Sequence, residues 1–241
     1  MTETDPYGAP LPSPSPTPTR PLLGITVLVV EDSRFACEAL RLMCLRSGAR
    51  VRRADCLRSA RRHLRVYRPS VLIVDEGLPD GCGQDLIREL SQATPRVPVI
   101  LGTSGDKMVE QISKSAGADG FLPKPIKSLA TFQQAIVSRL PAEQQPTKLF
   151  VAQDDMIRPD PLAYQDDMAH AADVLSDIED TKALDYVAQF VSGVARSASD
   201  DDLALAAENL ADARRNGRPV AYFAAQVAGL VQSRLTQRQF V

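Results

Sequence analysis

A doubly wound α/β unit around a five-stranded parallel sheet, followed by a separate all-α four-helix bundle, is the architecture this sequence predicts. Three observations point to it. Short apolar runs at Ile25–Val30, Val71–Val74 and Val97–Leu101 stop abruptly at acidic, hydroxyl or glycine residues, the pattern of strands buried on both faces. Amphipathic stretches alternate with those runs as far as Leu140, and a βα alternation requires a parallel sheet with right-handed crossovers. Beyond Pro161 the apolar residues recur only at helical spacing, which describes packed helices rather than a second sheet.

Composition sets the outer limits. A chain of 241 residues, 44% hydrophobic and with a formal net charge of −2, has room for two compact domains with their own cores. No apolar run approaches the length of a membrane span, and the amino terminus carries neither a basic leader nor an apolar signal core. A cytoplasmic protein with no membrane partner is expected. Cys37, Cys44, Cys56 and Cys82 lack CxxC spacing and clustered histidines, so free thiols are expected rather than a zinc site or disulfides. Charge divides by segment. Residues 24–140 carry 18 Lys+Arg against 12 Asp+Glu, and residues 150–241 carry 8 against 15. The acidic second half argues against DNA binding, because neutralising phosphates needs a basic face.

Residues 1–23 place prolines at 6, 10, 12, 14, 16, 18 and 21 among Ser and Thr, which reads as an extended, disordered arm. The first strand, Ile25–Val30, ends in Glu31-Asp32-Ser33. Ser33 is placed to cap a helix from Arg34 to about Arg46, with Gly48 as its stop. A short strand at 51–54 and a helix at about 57–67 follow, in a stretch with ten arginines between Arg41 and Arg68 that reads as a solvated basic face. The strand Val71–Val74 ends at Asp75, and Pro79, Gly81 and Gly83 forbid its continuation. A helix at about 84–92, a strand at 97–101, a helix at 107–115, a strand at 120–122 and a helix at 126–139 complete the unit. A proline-marked linker spans 141–160, with residues 148–151 a candidate packing segment. The bundle, 161–238, is expected as helices near 162–179, 182–197, 201–216 and 219–237. Thr181, Asp200 and Arg218 stand where their amino caps should be.

Strand ends one, three, four and five thus bring Glu31 and Asp32, Asp75, Thr103, and Lys124 to one sheet edge, where parallel sheets collect their ligands. Alone, each has an ordinary reading as a helix-terminal acid, a turn hydroxyl or a solvated lysine. Together they describe phosphoryl transfer. Clustered carboxylates call for a hard cation, and Mg²⁺ suits one or two carboxylates with water and phosphate oxygens. Asp75 then serves as nucleophile, while Thr103 and Lys124 neutralise the transferred group.

The segments VLVVEDS, VLIVDEGLPDGCG, VPVILGTSG and AGADGFLPKP closely resemble the receiver domain of two-component response regulators over residues 24–140. The resemblance implies a flavodoxin-like sheet of order 2-1-3-4-5 and Asp75 as phosphoacceptor. It implies Glu31 and Asp32 as Mg²⁺-site carboxylates, Asp32 the direct ligand, and a metal-facing carbonyl at Gly77. It further implies Thr103 as switch hydroxyl, Phe121 as switch aromatic, and Lys124 as phosphate contact ahead of a cis Lys124-Pro125 bond. A sensor histidine kinase or histidine-phosphotransfer protein is the implied donor. Two departures stand out. The span from Thr103 to Lys124 is one residue shorter than the family suggests, and Glu76 occupies a position the family often fills with an apolar residue. Gly77 and Gly105 stand two places beyond Asp75 and Thr103, where family side chains screen the acyl phosphate, so easy water access and a short-lived phosphorylated state are expected.

The second half faintly resembles a histidine-phosphotransfer domain around AQFVSGVARSASDDDLALAAENLADARR. The positions of the family's histidine and lysine hold Gln189 and Ser192, which implies a domain that binds without accepting phosphate. Gly193, in mid-helix, should have a packing or docking reason, and His170 reads as a surface histidine. The expected function is a response regulator signalling through protein contacts of its acidic bundle, not an enzyme. The charge opposition favours docking of the bundle on its own receiver at rest, and a homodimer is a further possible assembly. The alternatives are a phosphorelay shuttle in which Asp75 passes phosphate between histidine proteins, which label transfer from Asp75 onto His63 or His170 would favour, and a DNA-binding regulator.

Overall fold

A computed structural model gives the fold and describes residues 15–106, 108–146, 156–176 and 181–236, without the side chains of 181 and 182. The first unit follows the order β1 (Thr26–Val30), α1 (Arg34–Ser47), β2 (Arg50–Ala54), α2 (Leu57–Val66), β3 (Val71–Asp75), β4 (Gly77–Leu78), β5 (Gly81–Cys82), α3 (Gly83–Ser91), β6 (Val99–Ser104), α4 (Val109–Ser115), β7 (Gly120–Pro123) and α5 (Leu129–Val137). The large sheet runs β2-β1-β3-β6-β7, all parallel. This is the expected order 2-1-3-4-5 once the small β4–β5 hairpin is counted. That hairpin is absent from the sequence reading, where Pro79 and the glycines marked only a loop.

Strand alternation sends the two faces of the sheet into two cores. Val27, Val29, Ile73 and Leu101 pack with Leu40 and Met43 of α1 and Phe132 and Ile136 of α5. Leu28, Val30, Leu72, Val74 and Ile100 pack on the opposite face with Leu57 of α2 and Leu86 and Ile87 of α3. Burial on both faces explains why these strands read as continuous apolar runs. Ser33 caps α1, its side chain accepting from the Ala36 amide at 3.0 Å, and Gly48 ends the helix at φ 86°.

The proline-rich arm does not extend to residue 23 as expected. Thr17 and Arg20 exchange backbone hydrogen bonds, the Leu22 amide donates to the Ser47 carbonyl at 2.8 Å, and Leu22 is fully buried in the α1–α5 core. An apolar side chain with a place in that core outweighs the extended preference of its prolines. Residues 1–14 of the arm and the candidate packing segment 148–151 lie outside the described residues.

Helices α6 (Pro161–Ser176), α7 (Thr181–Ala198), α8 (Asp201–Arg215) and α9 (Ala221–Thr236) form the bundle. They close a ring in which α7 meets α8, α8 meets α9, α9 meets α6, and α6 meets α7. Its core is built from the apolar residues at helical spacing, including Met168, Val187, Val191, Leu203, Leu210, Val227 and Val231. Helix α9 starts later than expected, at Ala221, so Arg218 does not cap it; the residue lies over the Phe223 ring instead, 5.6 Å from its centre. Thr181 begins α7 rather than preceding it. Residues 177–179, expected at the end of the first bundle helix, lie outside the described residues. No helix among the described residues is long and apolar enough to cross a membrane.

Asp200 ties three of the helices together. It caps α8 by accepting from the Leu203 amide at 3.2 Å, takes Tyr164 Oη of α6 at 2.8 Å, and pairs with Arg234 of α9 at 2.8 and 3.0 Å. Replacing Asp200 by Ala should destabilise the bundle by about 2–3 kcal/mol, as a lost cap plus a stranded arginine. A far-ultraviolet melt in which the helical transition stays put would refute this. Arg234 holds the Asp200 carboxyl below its usual pKa. The pair's contribution is therefore present above the ordinary aspartate range of about 3.9 and is lost as pH falls below it.

Candidate functional site

The carboxyl ends of the central strands converge on a buried cluster of charge. Asp75 ends β3, in register with Thr103 on β6, and Glu31 and Asp32 follow β1 directly. One ligand oxygen from each of Glu31, Asp32 and Asp75 lies within 4.8 Å of the others. Lys124, at the end of β7, bridges two of them, with Nζ 2.8 Å from Glu31 Oε2 and 2.7 Å from Asp75 Oδ1. Both Lys124 and Glu31 are almost wholly buried. Burial opposes the charge on Lys124, but Asp75 and Glu31 outweigh it and raise its pKa above lysine's usual value.

Three carboxylates against one ammonium leave the cluster short of positive charge. Burial and then Asp75 push the Glu31 carboxyl up to about 8 and the Asp32 carboxyl up to about 7, the signature of acids that must hold protons or meet a cation. Hard oxygen donors grouped at this spacing fit a divalent ion such as Mg²⁺. The Gly77 amide donates to Asp75 Oδ2 at 3.1 Å and so fixes the loop that carries the Gly77 carbonyl.

Thr103 is buried, but its hydroxyl donates to the Leu122 carbonyl at 2.7 Å rather than to the cluster. Phe121 is half-buried beneath α4, where a methyl group at Gly102 would stand 3.2 Å from its ring. The Lys124-Pro125 bond is cis, as is Thr94-Pro95. Glu76 does not lie outward. It is buried, accepts a hydrogen bond from Gln84, and keeps Oε2 without a partner among the described residues. Burial pushes its carboxyl up to about 7.

The helical bundle lies directly on this edge. Asp167 of α6 is buried and accepts from Ser33 Oγ at 2.7 Å, the Arg34 amide at 2.8 Å and the Phe35 amide at 3.0 Å. It thereby adds a carboxylate to the amino end of α1, where the helix dipole favours one. Tyr186 of α7 donates its phenol to Asp32 Oδ2 at 2.8 Å. Phe35 and Tyr164 meet edge to face at 5.8 Å. Among the described residues the ion pair between the units is Arg34–Asp166, more than half exposed on both sides, and such pairs are worth little.

Further along α7, Gln189 and Arg196 occupy the space beside the two glycines. A methyl group at Gly77 would collide with the Gln189 side chain, and one at Gly105 with Arg196. Bundle side chains therefore stand where those two receiver side chains would be, at the edge of a cleft shared by the two units. At Gly193 the nearest group is Lys124 Nζ, 3.8 Å from where a Cβ would stand, so the glycine faces the site although alanine would fit. His170 is exposed, as expected, and its ring lies against Tyr186 and Phe190. Asp167, Tyr186 and Arg196 were missed from the sequence. The available signal was the Gly193 anomaly, which marked the helix and not its contacts.

Residues 27–136 match the family described as response regulator receiver domain; this part of the chain is a receiver domain, the class of module on which two-component signalling rests. A virulence transcriptional regulatory protein, PhoP of Salmonella typhimurium, is 34% identical over 116 residues, covering 47% of this chain and 52% of that protein. The KDP operon transcriptional regulatory protein KdpE of Escherichia coli is 33% identical over 99 residues, covering 41% and 44%. The chain thus spans about half the length of the curated relatives it matches. Among solved structures, a response regulator from Chloroflexus aurantiacus is 30% identical over 48% of this chain and 93% of its own, with a TM-score of 0.42. Receiver domains bind Mg²⁺ at an acidic site and interact with histidine kinases. Both regulators are described as transcriptional, so kinship in the receiver lends no support to the expectation that this chain avoids DNA.

Replacing Asp167 by Ala removes three hydrogen bonds at the contact between the two units. Amide exchange at Arg34 and Phe35 should accelerate and the radius of gyration in solution should rise, with both folds retained. Unchanged exchange and scattering would show that the bundle is held by other means.

Proposed function

We propose that the chain is a cytoplasmic two-component response regulator that accepts a phosphoryl group on Asp75 from a histidine donor protein and signals through protein contacts of its acidic bundle. The observation that carries this reading is the buried trio Glu31, Asp32 and Asp75, held at one sheet edge by the two-sided contact of Lys124. Asp75 is the nucleophile, since a carboxylate attacks phosphorus without a base to deprotonate it. Lys124 steadies the incoming group and stays beside Asp75 once the acyl phosphate has formed. Glu31, Asp32, Asp75 and the Gly77 carbonyl would hold Mg²⁺. When bound, that ion supplies positive charge to the phosphoryl oxygens.

Switching then falls to Thr103 and Phe121. The Thr103 hydroxyl must leave the Leu122 carbonyl to reach a phosphoryl oxygen, and Phe121, half-buried on the neighbouring strand, turns inward with it. At rest the bundle covers Asp75, which is 7% exposed, so a protein donor has to displace it. Displacement frees α6 and α7 for another protein. The acidic bundle supports a protein partner over DNA, and a gel shift with genomic fragments that gave a specific complex would overturn that part of the reading.

Incubation with Mg²⁺ and an acyl phosphate should place one phosphoryl group on the wild type and none on Asp75→Asn, by intact mass. Equal labelling of both would refute Asp75 as acceptor. Because the Glu31 and Asp32 carboxyls are pushed up to about 8 and about 7, the cation must expel protons as it binds. Mg²⁺ affinity should climb with pH to about 8 and then level, with proton release by calorimetry in two buffers fading over the same range. A pH-independent affinity would be incompatible with this cluster as the binding site.

A further inference from the structure

We propose that the docked bundle is a built-in phosphatase of its own receiver, in which the Gln189 amide orients the water that hydrolyses phosphorylated Asp75. The inference rests on the reading of Asp75 as phosphoacceptor and adds an activity to it. Its basis is the pairing of α7 with the loop after β3. Glycine at 77 leaves the place of a side chain free, and the Gln189 side chain enters it: a methyl there would stand 2.6 Å from Nε2.

Three features distinguish this arrangement from a plug. The cleft between receiver and bundle measures about 540 Å³ and is lined by Asp75, Gly77, Gln189, Ser192 and Arg196, space enough for a phosphoryl group and water. Gln189 is exposed to it rather than buried. Its amide has no hydrogen-bond partner among the described residues, so both its donor and its acceptor are available. A contact selected only to close the site would place an apolar or hydrogen-bonded side chain there.

The chemistry needs no further group. An amide accepts a hydrogen bond from water through Oε1 and donates through Nε2 to a phosphoryl oxygen, which holds the water in line for attack. Phosphoryl transfer depends on such positioning more than on a strong base, and glutamine fills this role in other phosphoryl-transfer sites. The water oxygen bonds to phosphorus as the bond from phosphorus to the Asp75 carboxylate oxygen breaks. The electron pair returns to the Asp75 carboxylate, beside Lys124, and the water proton leaves on the released inorganic phosphate.

The full chain is loaded with acetyl phosphate and Mg²⁺, desalted, and the phosphoryl group on Asp75 is followed by intact mass. Gln189→Ala should lengthen its half-life about tenfold or more. Gln189→Met, which restores the volume without the amide, should be as slow as Ala, whereas a space-filling role would return the wild-type rate. Asp167→Ala, which loosens the bundle but keeps Gln189, should also be slow. Wild-type decay in Gln189→Met, or in an Asp167→Ala protein shown by scattering to be open, would overturn the proposal. A wild type that never carries phosphate on Asp75 would instead remove the receiver reading itself, and the two failures are distinguished by that first mass measurement.

Discussion

Everything at this sheet edge depends on one ammonium group placed between two buried carboxylates. Lys124 reaches Glu31 at 2.8 Å and Asp75 at 2.7 Å from a position where almost no water reaches any of the three. Without it, strands β1 and β3 would end in like charges forced together in a poorly solvated site, an arrangement that costs several kcal/mol per uncompensated ion. With it, the cluster persists but stays one cation short, which is the condition that makes the site receptive. The fold serves this placement: the parallel register brings β1, β3, β6 and β7 to the same edge, and the two cores on either face hold the strands rigid while their ends carry chemistry.

How much of this was legible depended on the range of the interaction. The strands showed because burial on both faces writes itself as a run of adjacent apolar residues, and the candidate site showed because each member follows a strand end directly. Helix boundaries showed where a cap was local, as at Ser33, Gly48 and Asp200. Other features left no comparable trace. The β4–β5 hairpin consists of two two-residue strands that no periodicity can reveal, and Leu22 joined the core despite a proline-rich neighbourhood because tertiary burial overrode local preference. The buried fate of Glu76 hinges on Gln84, eight residues away across a turn.

The contact between the two units was least visible of all. Asp167 and Tyr186 meet Ser33 and Asp32 across more than 130 residues of chain, and nothing in the local pattern of α6 or α7 singles them out from other helix positions. The net charge of each half suggested attraction, yet the buried contacts are hydrogen bonds to a helix terminus and a single carboxylate, with the ion pair left in solvent. Net charge describes a long-range field; docking is decided by which donors meet which acceptors once water is gone.

Those donors couple the bundle to the state of the site. The Tyr186 phenol donates to Asp32 and so lowers the pKa that burial and Asp75 raise. A hydrogen bond that favours the ionised form of Asp32 is itself favoured when Asp32 is ionised, because linkage between two equilibria is reciprocal. Docking and deprotonation of the cluster therefore reinforce one another. Asp167 adds a second link of the same kind, since its carboxylate rests on the first turn of α1, the helix that begins immediately after Glu31 and Asp32. The receiver and the helices of the second half thus share a hydrogen bond at Asp32 and three at the first turn of α1, and the protonation of the cluster and the seating of the bundle are one linked equilibrium.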